Sequence, residues 1–165
     1  MKKSTPPSAF VRRMVSFGME SRIRVTRKER EACFSIYWTA LRKGDRWQIA
    51  ASVPAVGGVY EIYWMDERKH LRLLTVGHAR YGGLRSEIRR LIDPELTVDK
   101  ATAAILEDRE IWFRYAPIDS AQDMADIVWF FRKTYFPEDP GVPHSGRYDR
   151  IYVDETAPDK VRWVD

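Results

Sequence analysis

Apolar positions along the chain change period several times, and each period predicts an element. Cys33, Phe34, Tyr37, Trp38 and Leu41 recur every three to four residues, the spacing of one apolar helix face. Thr26-Arg27-Lys28-Glu29 precedes them as a capping box, with Thr26 as N-cap and Glu29 reaching back to its amide. Gly44 supplies a stop, so the spacing predicts a helix over 27–43, with Cys33 as a small buried hydrophobe in its apolar face. Residues 10–23 read as a short helix interrupted near Gly18, and Trp47 to Val53 as a short helix or a strand. Pro54 to Gly58 breaks the chain. Val59 to Met65 is dense in β-branched and aromatic residues and predicts a strand. Asp66 to His70 is a polar turn, and Leu71 to Val76 predicts an antiparallel partner ending at Gly77.

The second half continues in the same way. Gly82-Gly83 opens a helix over about 84–92, with Leu84, Ile88, Leu91 and Ile92 on one face, and Asp93-Pro94 closes it. A short helix fits 97–107, and Glu110 to Ile118 predicts a third strand. Asp119-Ser120 caps a long helix to about Phe136, which Pro137 stops. Beyond it, Ile151 to Val153 and Val161 to Val164 fit small strands in an irregular segment. The expected fold is α+β: a small three-stranded antiparallel sheet flanked by helices, with an N-terminal helical extension. Its organisation reads as a disordered tail over 1–9, a basic helical extension over 10–50, and an α/β domain over 51–165.

Composition narrows the function classes. With 165 residues, 44% hydrophobic and 32% charged, the chain suits one globular domain. Its single cysteine allows no internal disulfide, and no apolar run reaches the ~18 residues of a membrane span, so the expected location is the cytoplasm, away from any membrane. The net charge of +4 conceals an asymmetry: residues 1–50 carry 12 Lys/Arg against 4 Asp/Glu, whereas residues 51–165 carry 16 against 20. A basic first third is an electrostatic footprint for nucleic acid, or else a segment that docks on the acidic body of its own chain.

Gly58-Val59-Tyr60 at the first predicted strand and Thr75-Val76-Gly77 at the end of the second stand before a loop, an arginine-bearing helix, a third strand and a proline-stopped helix. This β-β-α-β-α series over about 57–137 resembles the GIY-YIG nuclease domain. The resemblance implies a metal-assisted phosphodiester hydrolase with Mg²⁺ on a carboxylate, tyrosine hydroxyls beside the attacking water, and an arginine on the developing charge. Carried over residue by residue, it assigns catalytic positions to Tyr60 and to Thr75, which keeps a hydroxyl without the tyrosine's reach. The family arginine falls on Glu87, with Arg85 or Arg89 as substitutes only if the helix is rotated or shifted. The metal glutamate falls on Val128, next to Trp129; Asp126 enters only if the alignment is shifted. The asparagine that often follows the closing proline is missing, since the chain contains no Asn. One of the four roles is clearly filled, so the resemblance implies a domain that has lost catalysis, with no cofactor, and Mg²⁺ only if activity survives.

Histidines are three, none at metal spacing; His78 follows Gly77 at the mouth of the implied site. Arg80, Tyr81, Arg85, Arg89 and Arg90 form a basic, partly aromatic cluster on one loop and helix, suited to phosphate contact and base stacking or to a solvated helix face. The expectation is a non-catalytic module that binds nucleic acid through His78, Arg80, Tyr81, Arg85 and Arg89. The alternatives are a protein–protein interaction or self-association module reusing the fold, and a divergent metal-dependent endonuclease using Tyr60 with Asp123 or Asp126.

Overall fold

The computed structural model of the chain describes residues 21–139 and 141–159. The tail expected over 1–9, most of the short helix over 10–23 and the strand at 161–164 lie outside the described residues.

The segment expected as a helix over 27–43 is instead part of a β-hairpin followed by a short strand. β1 (Arg22–Lys28) pairs antiparallel with β2 (Glu31–Tyr37) through a two-residue turn at Glu29-Arg30. Ala32, Phe34, Ile36 and Trp38 are buried and the residues between them are not, which is the period-2 signature of a strand with one face in the core. The helical spacing expected over 27–43 draws Cys33 and Tyr37 from one face of this strand and Phe34 and Trp38 from the other. Thr26 lies within β1 opposite Cys33 and caps nothing. Glu29 takes φ 52°, which opens the turn instead of a helix. Cys33 is only half-buried, on the face away from the core. Nor does Gly44 end a helix: it follows β3 (Arg42–Lys43) and donates its amide to Ile111 O at 2.6 Å.

The described strands form two sheets. The first has the order β1-β2-β7, where β7 (Arg150–Thr156) runs parallel to β2. The second has the order β3-β6-β4-β5. Its centre is β4 (Gly58–Met65), paired antiparallel with β5 (Leu71–Ala79) on one side and β6 (Ile111–Pro117) on the other. The sheet of three strands expected from the sequence is thus extended by β3, and a second sheet stands beside it. The fold class is mixed α/β.

Four helices complete the described chain, and each side-chain cap uses the backbone donors that a helix start leaves free. Asp45 caps α1 (Arg46–Ser52), Asp99 caps α3 (Lys100–Asp108) and Ser120 caps α4 (Ala121–Tyr135). α2 (Gly83–Leu91) has no side-chain cap. Instead Gly82 and Gly83 take positive φ, and a Cβ on Gly83 would lie 2.5 Å from the Ala55 carbonyl carbon. A short 3₁₀ turn at Pro94–Leu96 links α2 to α3.

The second sheet is covered on both sides. Val59, Val76 and Ala116 meet α4 and the inner face of the first sheet, through Met124, Val128, Phe131, Phe34 and Ile36. Tyr60, Ile62, Phe113 and Tyr115 meet Ile49, Leu84, Ile88 and Leu106 from α1, α2 and α3. The hairpin therefore belongs to the core that α4 closes.

Candidate nucleic-acid interface

The alternation of β4 decides which candidate residues meet. Tyr60 and its partner Gly77 point to the α2 side, as do Ile62 and Thr75. Val59 and its partner His78 point to the α4 side. The residues that the family resemblance groups as one site are thus divided across the sheet.

On the α2 side, Tyr60 is buried and donates from Oη to Glu87 Oε1 at 3.3 Å. Arg90 holds the same carboxylate, with Nη2 at 2.8 Å from Oε1. Burial, and then the Glu87 charge, push the Tyr60 phenol well above its ordinary value. A protonated phenol bonded to a carboxylate cannot take a proton from water near neutrality. The close approach of the ring explains Gly77, where a Cβ would lie 2.8 Å from Tyr60 Cζ. Thr75 is half-buried opposite Ile62.

Arg85 faces inward: its Nε donates to Val53 O at 2.7 Å, tying α2 to the end of α1. Arg89 is exposed and makes no hydrogen bond or ion pair among the described residues. Arg80 and Tyr81 stand on the loop before α2, with the Tyr81 ring 95% exposed and the Arg80 guanidinium 5.9 Å from its centroid. His78 is half-buried, and burial together with Arg80 lowers its pKa. Next to Arg89 lies an open groove of about 700 Å³, lined by Arg46, Arg85, Arg89 and Arg90 with Asp45, Asp93 and Glu95. Trp47, next to Arg46 in sequence, is 71% exposed, with the Arg46 guanidinium 5.0 Å from its ring centroid.

On the α4 side, the residues present do not fit a divalent cation. Val128 is buried among apolar side chains. Asp126 accepts from the Ser145 amide at 2.7 Å, from Ser145 Oγ at 2.8 Å and from Arg147 at 2.8 Å. Asp123 is held by Arg147 at 2.7 Å and Arg27 at 3.0 Å. These carboxylates pin the hairpin and the segment before β7 onto α4, and two guanidinium groups already supply the charge that a metal would bring. No local pattern encodes this network, because Arg27, Asp123 and Arg147 are remote along the chain.

A second charged cluster, also illegible in the sequence, lies between the two sheets. Glu61 is fully buried and accepts from Arg114 Nε at 2.6 Å and Tyr63 Oη at 2.5 Å. Arg114 also reaches Glu155 Oε1 at 3.5 Å and stacks 4.7 Å from the Trp38 ring, while Trp38 Nε1 donates to Glu155 at 2.8 Å. Burial, and then the Glu61 charge, raise the Glu155 pKa.

Fold and surface together define a mixed α/β protein with two sheets and, among the described residues, unspent cations at the surface. Among the described residues no helix is long and apolar enough to cross a membrane. The chain belongs to a family described as an uncharacterised protein, whose model matches residues 22–165. No curated protein and no solved structure matches it.

Proposed function

We propose that this chain is a non-catalytic, GIY-YIG-like module that binds nucleic acid. The series β4, β5, α2, α3, β6, α4, with β4 central, supports the GIY-YIG-like build. The observation that carries the binding reading is the exposed trio Arg80, Tyr81 and Arg89, two cations and an open ring with little internal employment. Phosphate contact and base stacking use these groups. Arg85 contributes by holding α2 in place, since its guanidinium is bonded to Val53 O. The division of Tyr60 from Asp123 and Asp126 across the sheet argues against hydrolysis. The single cysteine favours the cytoplasm as the place of action.

The test is fluorescence anisotropy of the full chain with a labelled DNA duplex between about 50 and 200 mM salt, with Mg²⁺ present. Affinity should fall steeply with salt, and the duplex should remain uncut. Arg80→Glu/Arg89→Glu should weaken binding by about tenfold or more. Unchanged affinity in that variant removes the placement.

A second reading, a protein-interaction module, is favoured by the exposed apolar residues Trp47, Leu96 and Val98. It requires a mass that rises with concentration in light scattering, and no salt-sensitive binding to nucleic acid.

A further inference from the structure

The first sheet presents one face to the core and the other to solvent. Strand alternation with the register of β1, β2 and β7 sorts the residues. Ile23, Val25, Phe34, Ile36, Ile151 and Val153 point inward. The opposite face carries the cations Arg22, Arg24, Lys28 and Arg150 and the rings Tyr37 and Tyr152. Two carboxylates share that face: Glu31, held by Arg150 at 3.3 Å, and Asp154. Arg24 and Lys28 are exposed and form no ion pair among the described residues. Tyr152 is 49% exposed, and Tyr37 lies under the Arg22 guanidinium at 5.3 Å.

We propose that this sheet face binds single-stranded nucleic acid, an inference that rests on the nucleic-acid reading and names its substrate class. Tyr152 lies beside Cys33, four residues along β2 from Tyr37, or about 13 Å at ~3.3 Å per residue. The two rings are far enough apart to take separate bases. A duplex hides its base faces in its own stack, so rings on an open sheet have nothing to stack on. An unpaired strand offers both ring faces and phosphates, and the free cations Arg24 and Lys28 stand on β1 at the edge of the platform. The surplus of cations over carboxylates on this face gives the charge complementarity that a phosphate backbone needs.

The experiment compares a labelled oligothymidine, an oligouridine and a duplex of equal length by anisotropy with the full chain, at low and moderate salt. Both single strands should bind more tightly than the duplex. Tyr152→Ala should weaken single-strand binding by about tenfold, while Tyr152→Phe keeps the ring and the affinity. Arg24→Glu/Lys28→Glu should abolish it, with thermal denaturation confirming that each variant folds. If Tyr152→Ala and Arg24→Glu/Lys28→Glu bind single strands as well as wild type while Arg80→Glu/Arg89→Glu does not, the sheet-face inference falls and the nucleic-acid reading stands. If no oligonucleotide binds, both fall. If only the sheet-face variants lose binding, the inference stands and the interface moves from the α2 loop to the sheet.

Discussion

Glu61 and Arg114 are the side chains whose burial asks most of their surroundings. Each would be buried without a counter-charge if the other were absent; Tyr63 adds a hydrogen bond to Glu61 and the Trp38 ring stacks on Arg114. Removing one partner strands the other in a medium of low polarity. Arg114→Leu should therefore destabilise the protein by about 3–5 kcal/mol in urea titration. Glu61→Leu/Arg114→Leu should recover most of that loss, because no uncompensated charge remains. Neither residue carries a local signal of this role in the sequence. A glutamate within Val59-Tyr60-Glu61-Ile62 reads as a solvent-facing position of a half-buried strand, and only a sheet covered on both sides makes it interior. Tyr60 was legible as a residue, but its role was not. Its phenol is bonded to the glutamate that stands where the family resemblance expects an arginine.

The hairpin β1-β2 shows how two periods compete within one element. Seven residues with Phe, Ile, Tyr and Cys satisfy a helical spacing and a strand alternation at once, and short apolar runs cannot be separated by periodicity alone. The turn decides locally. Glu29 adopts φ 52°, a region that costs a residue with a Cβ about 1 kcal/mol and costs glycine little. Glu29→Gly should raise the denaturation midpoint by an amount equivalent to about 1 kcal/mol, measured by thermal or urea unfolding. A helix through these residues would instead be weakened by glycine, so the sign of the change separates the two structures. The elements from β4 to α4 were legible because their punctuation is strong: the Pro54 to Gly58 breaker, the Gly82-Gly83 turn, Asp93-Pro94, and the Ser120 cap.

At the scale of the whole molecule, the ionic cluster joins β7 of one sheet to β6 and β4 of the other. Burial and the Glu61 charge hold the Glu155 pKa above its ordinary 4.5. The stability that Glu155 contributes is therefore fully present below pH 4.5 and is lost as pH rises through its folded-state value. Glu155→Gln keeps an acceptor for Trp38 but cannot ionise. Relative to wild type it should gain stability as pH rises from about 4.5 towards neutrality, read from urea midpoints across that range. A difference between the two proteins that stays constant with pH would show that Glu155 does not titrate in the cluster.

The sequence by itself determined the run of elements from β4 to α4, their caps and breaks, and the presence of cations and rings at 80–90, because those signals are local and act within a few residues. Tertiary structure decided the rest. β7 joins β2 in parallel from the far end of the chain, a pairing that no local pattern encodes. That pairing completes the sheet on which Arg22, Arg24 and Lys28 share one face. The two-sided cover of the second sheet then places Tyr60 and Val128 in different cores. Which residues share a site depends on which side of a strand each one takes, and an alternation of one residue is enough to separate them.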